Sequence, residues 1–143
     1  MSRYRLSGPA LQDIATILAE SAVRFGDAAS ERYERLIATA FMDLATDPAR
    51  TGSRAAPELG DGARIYHLRS SRRRAGMGIG AVGRPRHFVI YRVVEAEAIG
   101  VARVLHDSMD LPAHEADDFG SGNGLRAPVM SAQHAAQVGV IID

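Results

Sequence analysis

Arg64, Arg69, Arg86, Arg92 and Arg103 are the side chains best placed to do chemistry, with His106 close behind them in the sequence. A guanidinium is a planar, permanently charged fork that matches carboxylate and phosphate geometry. Alternate residues on neighbouring strands share a face, so several of these arginines can form one cationic floor. With His106 at the rim, such a floor could hold an RNA phosphate, arginine supplying charge and imidazole moving a proton. It could equally dock the acidic flank of a protein, and periodicity alone does not choose between the two. All seventeen cationic residues are arginine and none is lysine. From Arg64 to Arg92 there are eight arginines and no Asp or Glu, whereas from Glu115 onward one arginine faces four acids. The zero net charge therefore hides a basic middle, suited to an anionic partner such as nucleic acid or an acidic protein segment, and an acidic end. A solvated basic loop would carry the same run.

Other apparent motifs lack their mechanism. Gly78-Ile79-Gly80-Ala81-Val82-Gly83 spells a dinucleotide fingerprint. That fingerprint needs a strand before it and a helix after it, and here Arg84-Pro85 leads into a strand. His106, Asp107, Asp110 and His114 can be drawn as a metal cluster, but Pro112 breaks the helix that would align them and the spacing fits no standard set, so no metal is expected. No Gly-x-Ser-x-Gly elbow and no cysteine occur, which leaves acyl-transfer nucleophiles unsupported and excludes disulfides and thiolate sites.

A chain of 143 residues, 46% hydrophobic and 24% charged, suits one ordinary soluble domain with a buried core. No apolar run approaches membrane-spanning length, and the first residues, MSRYRLSGP, lack the apolar centre of a signal peptide. A cytoplasmic protein with no membrane partner and no cofactor is the expectation.

The elements that must position the arginines follow in order. Tyr4–Leu6 reads as a short strand. Ser7 or Gly8 can cap a helix with Pro9 in its first turn. Leu11, Ile14, Leu18 and Phe25, with Ala15 and Ala22 between, trace one face of it, and Gly26 stops it. Asp27 can cap a second helix whose stripe is Tyr33, Leu36, Ile37, Ala40, Phe41 and Leu44, ended by Asp47-Pro48. A two-residue connection predicts an antiparallel helical hairpin, and Glu31 can pair with Arg35 one turn on. Thr51–Gly62 reads as loop, Ala63–Ser70 as a strand, and Ser71–Pro85 as a long basic connection. Phe88–Val94 is apolar on both sides and therefore central in its sheet. A turn at Glu95–Ala98 leads to a last strand, Ile99–His106. The order β-α-α-β-β-β predicts an α+β fold, the N-terminal helical hairpin packed on one face of a small antiparallel sheet. Residues 1–114 form the domain. Residues 115–143, with Gly-Ser-Gly-Asn-Gly at 120–124, read as a flexible tail in which Val138–Ile142 could add an edge strand.

Arg103-Val104-Leu105-His106-Asp107-Ser108-Met109-Asp110-Leu111-Pro112-Ala113-His114 closely resembles the C-terminal signature of ParE-type toxins in the RelE/ParE superfamily. Supporting matches are Tyr4–Leu11, Ile14-Ala15, Phe25-Gly26, Tyr33, Tyr66-His67-Leu68-Arg69-Ser70 and Pro85-Arg86-His87-Phe88, so the resemblance spans about residues 3–114. It implies the toxin of a type II toxin–antitoxin module, held inactive by a cognate antitoxin of ribbon-helix-helix type whose disordered end folds onto the toxin. Operator DNA would be reached only through that antitoxin. Freed ParE-like toxins block DNA gyrase, trapping its cleaved DNA complex and stopping replication and growth, as binding inhibitors without covalent chemistry of their own. The partner-binding residues implied are Arg64, Arg69, Arg86, Arg92, Arg103, His106, Asp107 and Met109. RelE-like relatives instead cut messenger RNA on the ribosome with basic residues and a late Tyr or His, a role that would fall to His106 and Arg103. A third reading is a degenerate toxin that only binds antitoxin. No lysine is present and no tyrosine follows Tyr91, which favours gyrase inhibition. The long 71–85 connection and the tail depart from the family pattern.

Overall fold

Ser7 sets the first turn of the chain. Its hydroxyl accepts the Ala10 N–H at 3.0 Å, capping a helix, and donates to the Ala102 carbonyl at 2.8 Å, so the cap also ties that helix to the last strand. The computed structural model describes residues 2–78 and 80–109. The readings placed on Asp110, His114, the 115–143 tail and Val138–Ile142 lie outside the described residues.

Strand β1 is Arg3–Leu6, helix α1 Gly8–Phe25 and helix α2 Asp27–Thr46. The helices are joined through Gly26 alone, at φ +97°, a left-handed conformation that glycine adopts without steric cost. Gly26 is both the stop of α1 and the N-cap of α2, so Asp27 falls inside the helix rather than capping it. All six predicted stripe residues of α2 are buried, together with Asp43 and Ala45. The predicted face of α1 is rotated. Ala10 is buried and Ile14, Ile17 and Leu18 pack on the core, while Leu11 and Phe25 are exposed. Arg35 donates to the Ala75 carbonyl at 3.1 Å instead of meeting Glu31.

The sheet has five strands in the order β1-β5-β4-β3-β2, with β2 at Ser53–Ala55, β3 at Arg64–His67, β4 at His87–Glu95 and β5 at Ala98–His106. It is mixed rather than wholly antiparallel, because β1 pairs parallel with β5 once the helical hairpin has carried the chain away. Strand β4 is central, as its two apolar faces require. Tyr66, Val89, Tyr91, Ile99, Val101 and Val104 meet the helices, and Tyr4 stacks against Phe41 with ring centroids 4.9 Å apart.

The other face carries Phe88, Ile90, Ala102 and Leu105, and it is not open. The 51–62 stretch read as loop contains β2 and a short 3-10 turn, Pro57–Leu59, that lays Ala56 and Leu59 over this face. β3 ends in another 3-10 turn, Leu68–Ser71, followed by a one-turn helix, α3, at Arg72–Ala75. Gly76 begins a tight return in which an added Cβ would stand 2.6 Å from Ala81, so only glycine fits. Gly78 and Gly80 have positive φ, and the run continues into β4 with no helix after it, which removes the dinucleotide reading on its geometry. No helix among the described residues is long and apolar enough to cross a membrane.

Candidate functional site

The start of β4 and the end of β5 lie side by side, with His87 and His106 opposite each other in the register. Their rings meet edge to face, centroids 5.2 Å apart. His87 is largely buried, and its Nδ1 lies 2.7 Å from the Tyr33 hydroxyl of α2. Desolvation, helped by the neighbouring His106, pushes the His87 pKa down to about 4, so the ring is neutral at pH 7. Burial raises the Tyr33 pKa, which keeps its O–H proton. That hydroxyl accepts the Arg86 N–H at 3.0 Å and can therefore donate to the bare Nδ1 of His87.

Arg86 and Asp107 close this end of the sheet. The Asp107 N–H donates to the Arg86 carbonyl at 2.8 Å. The guanidinium in turn grips both carboxylate oxygens, Nη2 to Oδ1 at 2.9 Å and Nε to Oδ2 at 3.3 Å. The hydrogen bonds from Arg86 are the main reason the Asp107 pKa falls to about 2; partial burial opposes them and the hydrogen bond from His67 assists. His67 Nδ1 accepts the Arg69 N–H at 3.1 Å, so its hydrogen sits on Nε2 and is donated to Asp107 Oδ2 at 3.0 Å. His106 Nδ1 faces the Ser108 N–H and hydroxyl at 3.1 and 2.8 Å.

Beside this network opens a cleft of about 600 Å³ between the helical hairpin and the 81–86 segment. Ile17, Phe25 and Val82 give it an apolar wall, and Arg24, Arg32, Arg84 and Arg86 give it charge, against the single carboxylate of Glu20. Tyr33, His87 and His106 line its inner end.

The predicted residues are thus divided. Arg86, His106 and Asp107 come together. Arg69 is exposed nearby and contributes its backbone to His67, and Met109 sits in the turn that follows, its N–H on the His106 carbonyl. The other three arginines are elsewhere. Arg103 lies at a β-bulge in β5 and holds Asp13 of α1 with Nε and Nη2 at 2.8 and 2.9 Å, the same carboxylate accepting the Val104 N–H. Arg64 bonds the Pro48 carbonyl and the Ser53 hydroxyl on the helix side of the sheet. Arg92 reaches the Asp61 carbonyl on the opposite face. The single five-arginine floor is therefore replaced by a cleft charged from the hairpin and the 81–86 segment. Arg24, Arg32, Tyr33, His67 and His87 were not singled out from sequence as site residues. Arg24 lies two residues before Gly26 and Arg32 six residues after it, and their convergence depends on the turn between the helices.

A second buried network supports α2. Asp43 accepts from the Ser71 hydroxyl at 2.7 Å and pairs with Arg50 and Arg74, each at 2.8 Å. Tyr66 hydroxyl lies 2.7 Å from the same Ser71 oxygen. Position 43 follows Ala40 by three and Leu36 by seven, which places it on the buried stripe and was the available signal.

Among comparisons with known proteins, the sequence model of the ParE toxin of the parDE type II toxin–antitoxin system matches residues 4–111. No curated protein matches the chain. That match runs from within β1 to beyond the end of β5 and takes in the His87–Asp107 network, and it places the chain in the ParE toxin family of type II toxin–antitoxin systems.

Proposed function

We propose that this type II toxin, once released from a cognate antitoxin of ribbon-helix-helix kind, acts by binding DNA gyrase and blocking replication, without covalent chemistry of its own. The observation that carries this reading is the neutralisation of the cations that a nuclease would aim at a phosphate. Arg86 is held by Asp107 and Arg103 by Asp13, while Arg64 is spent on a backbone carbonyl and a serine hydroxyl. Stabilising a phosphoryl transition state needs preorganised charge directed at the reacting oxygens, and here carboxylates already occupy the Arg86 and Arg103 guanidinium groups. The acid–base candidates are constrained as well. His87 is buried and neutral, and Tyr33 is held in its protonated form.

The alternative, a ribosome-dependent endoribonuclease, is favoured by one feature: the His106 ring is half-exposed at the inner end of an arginine-lined cleft. Supercoiling assays with purified gyrase separate the two. Inhibition with accumulation of cleaved DNA, unchanged in His106→Ala, is the expected result. Normal supercoiling together with messenger cleavage that disappears in His106→Ala would replace the gyrase reading by the nuclease one.

A further inference from the structure

Arg24 at the end of α1, Arg32 in α2 and Arg84 in the 81–86 segment line one cleft from three separate parts of the chain. None of the three has an ion-pair partner among the described residues. The aliphatic stem of Arg32 runs beside the return after α3, its Cδ 3.9 Å from where a Cβ on Gly80 would stand. Like charges gathered without a counter-ion repel one another, and an anion that meets all three relieves that cost.

The rest of the cleft restricts which anion fits. Its volume of about 600 Å³ is that of a site for one small molecule. Phe25 is 71% exposed and, with Ile17 and Val82, offers an apolar wall beside the guanidinium groups. An open aromatic ring next to arginines can stack a nucleobase while the arginines hold phosphate. Glu20, one turn before Arg24, would repel a wholly acidic occupant but can accept hydrogen bonds from the hydroxyls of a sugar. Carboxylates on one side of an extended peptide recur only every ~7 Å with one charge each. A polyphosphate concentrates its charge at one place, on oxygens that guanidinium forks bind in pairs.

We propose that this cleft binds a nucleoside polyphosphate, its phosphates on Arg24, Arg32 and Arg84, its base against Phe25 and Val82, and its sugar beside Glu20. An occupied cleft is closed to any protein partner that uses the same surface. The proposal rests on the cleft's charge and shape and is independent of the gyrase reading.

The test is calorimetric titration of the full chain with ATP, inorganic triphosphate and adenosine as probes. Saturable binding of one ATP is expected, with inorganic triphosphate weaker by about tenfold for want of stacking and adenosine showing no binding. Phe25→Ala should bring ATP down to the level of inorganic triphosphate and leave inorganic triphosphate unchanged. R24Q/R32Q/R84Q should abolish both, with a urea midpoint like that of the wild type. Should that variant fail to fold, amide shifts in the wild type carry the same test: ATP should move Ala29, Arg32 and Gly83 and leave Arg92 and Glu95 in place. No saturable ATP binding, or amide shifts outside the cleft alone, would overturn the proposal. So would ATP binding no tighter than inorganic triphosphate, or binding that survives R24Q/R32Q/R84Q. A hexaglutamate peptide that binds as tightly as ATP would assign the cleft to an acidic protein segment instead, and a tighter-binding octathymidylate would assign it to a nucleic-acid strand. Gyrase is absent from every readout, so the nucleotide site and the gyrase reading fail separately.

Discussion

Asp43 and Arg103 are charged residues whose work is structural. Asp43→Ala removes the acceptor shared by Ser71, Arg50 and Arg74, and should lower stability by about 2–3 kcal/mol in urea unfolding, most of it from the buried hydroxyl side of the network because both arginines retain solvent. Arg103→Ala should cost about 1–3 kcal/mol by leaving a largely buried Asp13 without its partner. Double-mutant analysis with Asp13→Ala should show strong coupling, and additive losses would contradict the pairing. His87 gives the fold a pH dependence. Its folded pKa of about 4 lies below the ordinary 6.5, so the unfolded chain binds the proton more readily. The contribution is complete above pH 6.5 and is lost as pH falls toward 4, on the order of 3 kcal/mol across the window. Asp107, depressed to about 2, contributes above its ordinary 3.8 and loses that contribution between there and about 2. His87→Asn should flatten the upper window in a series of denaturation midpoints and leave the lower one. Strand alternation allowed several arginines to share one face, whereas Arg64 and Arg92 leave the sheet on opposite faces. It carried no information about Asp13, a carboxylate ninety positions away in sequence that claims Arg103.

At the level of elements, α2 was legible because its whole stripe is buried, and a fully used stripe is what a 3.6-residue period reports. Phe41→Ala or Leu44→Ala should cost about 2–5 kcal/mol through core cavities, measured by thermal or urea unfolding. α1 was legible as a helix but not in its facing. It lies at the margin of the sheet, and its last turn overhangs the cleft, so Phe25 continues an apolar periodicity that has nothing beneath it. β2 escaped notice for another reason: Ser-Arg-Ala has little strand preference of its own, and its pairing with β3 decides its conformation. The 76–86 return depends on Gly76. Gly76→Ala should destabilise by about 1–3 kcal/mol through the clash with Ala81 and shift the amide resonances of residues 80–86 that form one wall of the cleft.

Across the molecule, a zero net charge conceals a strongly divided surface, and the division explains why a sequence so rich in arginine does not present one cationic plane. The helical hairpin and the mixed sheet hold most guanidinium groups against carboxylates or carbonyls and leave a smaller set at the cleft. The α+β class was readable because local periodicities agree with the topology. The site was readable only through Arg86, His106 and Asp107, which are close to one another at the junction of β4 and β5. As proposed above, such a toxin works by occupying a surface. Pulse labelling immediately after induction in cells lacking antitoxin tests that claim most directly. DNA synthesis should stop first while incorporation of amino acids continues, and the wild-type course should be kept by His106→Ala. Protein synthesis that collapses first, with DNA synthesis following only later, would contradict it.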